Sequence, residues 1–293
     1  MIIVQLIGGL GNQMFQYACG KTLALKNKTS LKLDTTDLLD RSHHNFTHRN
    51  YELNVFNINE KIASNHDIKK FELKKSLPTR ILSKLFIKFK YKKISEQILF
   101  NYDNTLTSEK SNLYLSGYWQ NEKYFAEFES EIRKCFTFKE LPTVDNEKIL
   151  QQIEACNSVS IHIRRGDYVS LKSANAFHGI CSLDYYYAAI ALISSKISNP
   201  LFFIFSDEPE WIKQNFIINS PFLVISHNSG EKSFEDMRLM SACKHNIIAN
   251  SSFSWWGAWL NKNQNKIVIA PTKWFADDSI DTKDLIPEKW IRM

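Results

Sequence analysis

Residues Ser158–Tyr168 read SVSIHIRRGDY, and this stretch decides the fold class of the second half of the chain. The alternation of Val159, Ile161 and Ile163 predicts a buried β-strand. Charged residues follow directly at the carboxyl end of that strand. Open α/β folds bind their ligands outside the carboxyl ends of strands. The stretch therefore predicts an α/β unit with a ligand site at this strand end.

Arg164 and Arg165 give the predicted strand end an affinity for phosphate groups. The planar guanidinium forms two parallel hydrogen bonds with phosphate oxygens. Two like charges are costly to bury unless an anion neutralises them, and a diphosphate meets this requirement. A purely structural ion pair of either arginine with Asp167 is the alternative interpretation.

The composition is that of a globular protein with two domains. The 293 residues are 44% hydrophobic and 23% charged, and one domain takes roughly 100–200 residues. No run approaches the ~18 apolar residues of a membrane span, and Met1–Leu6 predicts a strand instead of a signal peptide. Five scattered cysteines predict reduced thiols in the cytoplasm, without a disulfide framework or a zinc site.

The positive charge is concentrated in residues 69–93, where lysines alternate with apolar residues at roughly helical spacing. A basic amphipathic helix can lie on an anionic membrane surface, which predicts peripheral contact with the inner face of a membrane. Packing of this helix on its own domain is the alternative.

Strands and helices alternate along the chain, which predicts parallel sheets with helices on both faces. Pro142 and the polar residues after it predict a linker between an N-terminal domain, 1–142, and a C-terminal domain, 143–293. We therefore expect two Rossmann-like domains whose sheets face each other across a cleft.

The elements expected in the first domain are strand 2–6, helix 12–26, strand 30–34, a basic helix within 69–93, strand 113–115 and a helix near 121–135. Those expected in the second are helix 145–155, strand 158–163, helix 183–196, strand 201–205, helix 208–216, strand 222–226, helix 233–243, strand 246–249, helix 252–262 and strand 266–269.

The turn Gly8–Gln13, GGLGNQ, imitates a dinucleotide-binding fingerprint when it is combined with Asp34 after the second strand. This leaves an NAD-dependent oxidoreductase as an alternative. Met14 at the third glycine position argues against it. What remains is a tight turn that points Asn12 and Gln13 toward a ligand, or a turn without a ligand.

Two further clusters come directly after predicted strands. Asn250–Gly257 reads NSSFSWWG, so Ser251 or Ser252 is expected to cap the next helix, whose amino end can bind phosphate. Ser206–Pro209 reads SDEP, and its two carboxylates could bind a metal, orient the arginines or cap a helix. We favour the last two, because no convergent carboxylate partners are apparent in the sequence.

The chain resembles family 11 of the glycosyltransferases, the bacterial α-1,2-fucosyltransferases. The resemblance rests on four motifs that occur in order between Gly8 and Leu260: GGLGNQMFQY, HIRRGDY, SDEPEW and NSSFSWWGAWL. The HIRRGDY core also resembles that of the α-1,6-fucosyltransferases and the protein O-fucosyltransferases. The resemblance implies a GT-B-like fold with GDP-fucose in the C-terminal domain and the acceptor near the N-terminal one. It also implies inversion at the anomeric carbon without a metal ion or another cofactor.

The resemblance implies a role for each residue that matches a motif. The residues expected at GDP-fucose are Arg164 at the phosphates with Arg165 and Asp207 supporting it, His162 and Asp236 at the guanine, Ser251, Ser252 and Phe253 around the β-phosphate, and Gln13 with Asn12 at the reacting centre. The segment from Tyr168 to Asn175 contains no carboxylate, so the candidate general base of the α-1,6 group has no counterpart here. The candidate bases are therefore Asp167 and His178.

The predicted reaction moves L-fucose from GDP-β-L-fucose to the 2-hydroxyl of a galactose in an oligosaccharide or a lipid-linked glycan. Cleavage of the bond between C1 and phosphate leaves negative charge on GDP, which Arg164 and a helix amino end would stabilise. A GDP-sugar transferase with another donor or linkage is the nearest alternative. A nucleic-acid-binding module ranks last, because the basic segment carries no recognised nucleic-acid motif.

Overall fold

The computed structural model describes residues 1–42, 48–72, 91–97, 100–166, 169 and 172–293. These residues form two compact units, Met1–Lys139 with Asp281–Leu285, and Glu140–Ile280 with Ile286–Met293. Asp284 fastens the returning segment to the first unit, because its carboxylate accepts the Tyr102 N–H at 3.2 Å and pairs with Lys123 Nζ at 2.8 Å. A single boundary after residue 142 does not account for this return of the chain.

The first unit is built on a parallel sheet. Its strands are β1 (Ile2–Gln5), β2 (Leu31–Asp34), β3 (Lys61–Ile62), β4 (Tyr91–Ser95) and β5 (Asn112–Ser116). Its helices are α1 (Leu10–Lys26), α2 (Thr36–Leu39), α3 (Asn65–Lys69) and α4 (Glu129–Cys135), with short 3-10 turns at Leu53–Val55, Leu106–Ser108, Glu122–Tyr124 and Ala126–Phe128. The strand order is β3-β2-β1-β5-β4, and every pairing is parallel.

The second unit has the same construction around a longer sheet. Its strands are β6 (Asn157–Ile163), β7 (Pro200–Ser206), β8 (Phe222–Ile225), β9 (His245–Ile247), β10 (Val268–Ala270) and β11 (Ile291–Arg292). Its helices are α5 (Val144–Ala155), α6 (Lys172–His178), α7 (Leu183–Lys196), α8 (Pro209–Asn215), α9 (Phe234–Ala242) and α10 (Ser252–Leu260), with a 3-10 turn at Gly230–Lys232. The order β11-β10-β9-β6-β7-β8 is parallel throughout. The prediction of an α/β fold with parallel sheets is confirmed.

Strand β6 lies in the interior of its sheet and is buried on both faces. Val159, Ile161 and Ile163 are at most 3% exposed, as their alternation predicted. Ser158 and Ser160, which alternate with the apolar residues, are buried as well, and each has a hydrogen-bond partner. Ser158 Oγ accepts the Lys244 N–H at 3.0 Å, and Ser160 Oγ accepts from Asn246 Nδ2 at 2.7 Å. Burial on both faces is typical of central strands in parallel sheets.

Most predicted elements lie within about two residues of the observed ones, and two predictions need correction. The helix expected near 121–135 begins only at Glu129, after two 3-10 turns. The basic helix expected within 69–93 falls largely on residues 73–90, which lie outside the described residues, but its last part is wrong. Residues Tyr91–Ser95 form the edge strand β4, so Lys92 and Lys93 belong to a sheet.

Within the described ranges, none of the helices is both long and apolar enough to cross a lipid bilayer.

Candidate active site

The carboxyl ends of three adjacent strands bring most of the predicted ligand residues of the second unit to one edge of the sheet. Strand β6 pairs with β7 on one side and β9 on the other, with Ile163 opposite Ser206 and Ile161 opposite Ile247. Neighbouring strands lie about 4.8 Å apart. The residues that follow these strands therefore meet at one edge of the sheet, where parallel α/β sheets bind ligands.

Arg164 and Asp207 form an ion pair at this edge. The Nη1 atom of Arg164 lies 2.5 Å from Oδ2 of Asp207, and the two side chains are only 21% and 23% exposed. Asp207 Oδ1 also accepts the backbone N–H of Arg165 at 3.0 Å. A Cβ atom at Gly166 would clash with this carboxylate, so a larger residue there would displace Asp207 from its present position.

Arg165 is held by two neighbours. Its Nε donates to Glu208 Oε2 at 3.0 Å, and its guanidinium lies over the Trp211 ring, 3.6 Å from the centroid. Stacking on an aromatic face stabilises a guanidinium through the cation–π interaction. Of the three interpretations of Asp207 and Glu208, these contacts match the one in which the carboxylates orient the arginines. The role of Trp211 was missed, although it belongs to the SDEPEW motif.

His162 connects the end of β6 to the beginning of α10. Its ring centroid lies 5.7 Å from that of Phe253. Burial lowers the pKa of His162 to about 4. Asp207 raises this pKa by a smaller amount, and Arg164 lowers it further. The imidazole is therefore neutral near pH 7. Among the described residues, its buried Nδ1 has no hydrogen-bond partner. Buried polar atoms almost always have one, so this atom marks a place for a ligand or a water.

Ser251 caps α10, as the sequence predicted. It has extended backbone, and its Oγ accepts the Phe253 N–H at 3.3 Å. Ser251 is buried, while Ser252 and Phe253 in the first turn are partly exposed. The amino end of a helix carries partial positive charge, which attracts anions.

Asn250 ties this serine loop to the end of α6. Its Nδ2 donates to the carbonyl oxygens of His178 at 2.9 Å and Trp274 at 3.1 Å, and its Oδ1 accepts from Cys181 Sγ at 3.4 Å. The His178 ring lies against Phe177 and Phe275, with centroids 4.9 and 5.8 Å away. Asn250 was part of a quoted motif, but the sequence assigned it no role.

Asp236 is buried in the first turn of α9. It is 9% exposed, and its Oδ1 accepts from Asn228 Nδ2 at 2.9 Å. Burial raises the pKa of Asp236 to about 7, with the Asn228 hydrogen bond acting in the opposite direction and Glu235 adding to the increase. Asp236 is therefore a carboxylate in a desolvated setting, which is common at ligand sites.

In the first unit, Asn12 and Gln13 lie in the first turn of α1. Gln13 is fully buried: its Nε2 donates to the carbonyls of Gly8 and Asn50, both at 2.8 Å, and its Oε1 accepts the Glu52 N–H at 3.0 Å. These bonds give Gln13 a structural role, because they use both ends of its amide. Asn12 is partly exposed, and its Oδ1 accepts from Gln120 Nε2 at 2.9 Å.

Asp34 also has a structural role. It is 3% exposed and accepts from the Tyr114 hydroxyl at 2.7 Å and from the Thr36 N–H and hydroxyl at 2.9 and 2.6 Å. Both carboxylate oxygens are therefore used inside the unit. A dinucleotide site needs this acid for a ribose hydroxyl, so the contacts argue against the oxidoreductase alternative.

Of the two candidate bases, Asp167 lies outside the described residues, and His178 is the last residue of α6. In the part of the chain that the structure describes, no group of three or more His, Cys, Asp or Glu side chains is arranged to hold a metal ion.

Comparison with known proteins gives one consistent assignment. The chain matches Glycosyl transferase family 11 over residues 1–293. It is 38% identical over 306 residues to alpha-1,2-colitosyltransferase of Escherichia coli, covering 100% of this chain and 99% of that protein. It is 36% identical over 301 residues to the O-antigen biosynthesis glycosyltransferase WbnK of Escherichia coli, covering 98% and 99%.

Among solved structures, the fold is similar to that of an Arabidopsis thaliana FUT1 variant in complex with GDP. The TM-score is 0.50 at 10% sequence identity, and the match covers 98% of this chain and 74% of that chain. At this identity the likeness concerns the fold alone.

Proposed function

The chain belongs to glycosyl transferase family 11, and from this premise we propose that it transfers L-fucose from GDP-β-L-fucose to the 2-hydroxyl of a galactose residue in a glycan. The product is an α-1,2 linkage, formed with inversion at the anomeric carbon. The observation that carries the proposal is the Arg164–Asp207 ion pair at the carboxyl end of β6. The ring contact of His162 with Phe253 joins that strand end to the first turn of α10.

The chemistry of the leaving group explains why an arginine and a helix amino end suit this reaction. As the bond from fucose C1 to the β-phosphate breaks, negative charge develops on GDP. Arg164 and the first-turn N–H groups of α10 stabilise that charge where it appears, and one such donor contributes ~3–4 kcal/mol. Ser251, Ser252 and Phe253 surround the phosphate in this proposal, and no metal ion is required.

The nucleotide base is read by His162 and Asp236 in the same proposal. An ionised carboxylate accepts both the N1 and the N2 hydrogens of guanine, whereas adenine lacks such a pair of adjacent donors. The buried Nδ1 of His162, which has no partner among the described residues, supports this assignment. An unpaired polar atom there costs ~1–3 kcal/mol, which a nucleotide contact would remove.

For the acceptor, we assign the first unit and the partly exposed Asn12 at the beginning of α1. A glycan of the O-antigen type is the proposed class, because a relative that is 36% identical carries that description. The candidate bases for the acceptor hydroxyl are Asp167 and His178. A dissociative transition state needs only a weak base, because the sugar carbon is already strongly electrophilic.

A second donor is favoured by one specific observation. The relative with 38% identity over the whole chain is named an alpha-1,2-colitosyltransferase. Colitose is L-fucose without its 3-hydroxyl, so the two donors differ by one polar group. A site that hydrogen-bonds that hydroxyl rejects the deoxy sugar strongly, while an apolar one distinguishes the two only weakly.

A donor panel tests the proposal. The purified chain is incubated with a β-galactoside and, in turn, with GDP-L-fucose, GDP-L-colitose, GDP-D-mannose and UDP-galactose, and transfer is followed by mass spectrometry. The proposal predicts transfer from GDP-L-fucose with the highest kcat/KM. Preference for GDP-L-colitose would identify GDP-L-colitose as the donor while the proposed class of reaction stays the same. Transfer from UDP-galactose alone would overturn the proposal.

A further inference from the structure

A chain of amide hydrogen bonds runs from α5 to Asp236. Asn146 in the first turn of α5 is fully buried, and Asn228 lies in the loop that follows β8. The two amides bond to each other in both directions: Asn146 Nδ2 donates to Asn228 Oδ1 at 2.9 Å, and Asn228 Nδ2 donates to Asn146 Oδ1 at 3.0 Å. The same Asn228 Nδ2 donates to Asp236 Oδ1 at 2.9 Å.

This arrangement fixes which group faces the carboxylate. Because Asn228 Oδ1 is occupied by Asn146 Nδ2, the amide of Asn228 must present its nitrogen to Asp236. Asn146 is held in turn by its own neighbours, since its Nδ2 donates to Thr143 Oγ1 at 3.1 Å and its Oδ1 lies 2.7 Å from His227 Nε2. A reversed amide would set an oxygen against an oxygen, so the chain specifies one orientation.

We propose that Asn228 and Asn146 are positioning residues for base recognition: they hold the Asp236 carboxylate in one orientation and favour its ionised form. The proposal rests on the proposed function, in which Asp236 reads guanine. A donor directed at a carboxylate stabilises its charged state, and only that state accepts two hydrogens from guanine. The amide pair therefore lowers the pH above which the base is selected.

The charged groups around Asp236 do not favour its ionised form, and one of them, Glu235, raises its pKa. Glu235 precedes it on α9 and pairs with Arg238 at 2.8 Å. On α5, Asp145 pairs with Lys148 at the surface. His227 contacts Asn146, and the side chains of Asn146 and Asn228 link it to Asp236. The packed helix α10, SFSWWGAWL, contains no charged residue.

The test measures GDP and ADP affinities by calorimetry from about pH 5.5 to about pH 8.5, across the ionisation of Asp236. The two ligands carry the same diphosphate, so the ratio of their dissociation constants cancels its titration and reports on the base alone. In the unaltered protein, the ratio favouring GDP is expected to rise with pH and to level off above about 7, the pKa that burial gives Asp236. Asp236→Asn is expected to remove this pH dependence.

Asn228→Ala is the informative variant. It removes a hydrogen bond that lowers the pKa of Asp236, so the pH at the midpoint of the rise in the affinity ratio should increase. The preference for GDP at pH 7 should fall about tenfold. Asn146→Ala should shift the midpoint in the same direction by a smaller amount, and it replaces Asn228→Ala if that variant does not fold. Asn157→Ala is the matched control, because its Nδ2 donates to Ser198 O at 2.8 Å at the opposite end of β6.

The outcomes separate this inference from the proposed function. If Asn228→Ala lowers the affinities for GDP and ADP equally, or leaves the midpoint unchanged, the amide pair is merely structural and the inference is overturned. If the unaltered protein does not prefer GDP over ADP at any pH, the proposed guanine site itself fails.

Discussion

Arg164 and Asp207 face each other across the carboxyl ends of β6 and β7, with Nη1 and Oδ2 2.5 Å apart. A half-buried arginine that pairs with a carboxylate is restricted in direction, because the ion pair limits its rotamers. The backbone N–H of Arg165 donates to the same carboxylate at 3.0 Å. Asp207 thus positions the loop and the guanidinium together, which is the preorganisation that charge stabilisation in a transition state requires.

Arg164→Ala is expected to reduce kcat for transfer by roughly 10²–10³-fold, the usual cost of removing one donor from a developing negative charge. Arg164→Lys should also be strongly impaired, since a point charge does not replace a bidentate fork. Steady-state kinetics with a labelled donor measure both variants. Arg133→Ala is the control, because Arg133 pairs with Glu129 within α4 of the first unit. Turnover of Arg164→Lys within about twofold of normal would contradict the role.

The carboxylates after β7 should differ in importance. Asp207→Asn removes the negative charge that pairs with Arg164, so we expect kcat to fall at least about tenfold through misplacement of the guanidinium. Glu208→Gln should have a smaller effect, because Arg165 keeps its contact with the Trp211 ring. Comparing kcat and GDP affinity for both variants tests this order. Equal losses in the two variants would show that Arg165 is as critical as Arg164.

Transfer is expected to survive chelation. Asp207 and Glu208 already pair with Arg164 and Arg165, which leaves these carboxylates poorly suited to bind Mg²⁺, a cation that prefers oxygen ligands in octahedral geometry. Activity after dialysis against EDTA should stay within about twofold of the starting value. Loss of activity that returns on addition of Mg²⁺ or Mn²⁺ would refute this reading of the pair.

Asp236→Asn should weaken GDP binding at pH 8 while leaving ADP binding nearly unchanged. An amide is a poorer acceptor than a carboxylate, and its NH₂ group opposes the guanine donors, so the expected loss is ~1–3 kcal/mol, or roughly 5- to 150-fold in affinity. Calorimetry with both nucleotides gives the comparison. Unchanged selectivity in the variant would locate the guanine contact elsewhere.

Local sequence patterns predicted most of the helices and strands, whereas predicting the site also requires the order of the strands in the sheet. The alternation of Val159, Ile161 and Ile163 was sufficient to predict β6. The pairing of β6 with β9, which brings the loop after β9 to the end of β6, depends on contacts between residues about 86 positions apart. No local pattern carries that information.

The errors have physical causes as well. Strand β4, YKKIS, is an edge strand whose lysines are exposed, so it lacks the apolar alternation of a buried strand. Lysines on edge strands hinder aggregation and also hide the strand from pattern analysis. Asn146 and Asn228 were missed because their importance comes from a reciprocal bond across 82 positions. An asparagine alone predicts only a cap or a turn.

A crystal structure of the chain with bound GDP tests the central claim most directly. The account predicts that the β-phosphate lies within hydrogen-bond distance, about 3 Å, of Arg164 and of the first-turn N–H groups of α10, with the guanine edge against the Asp236 carboxylate. GDP bound at full occupancy away from the carboxyl ends of β6, β7 and β9 would contradict it.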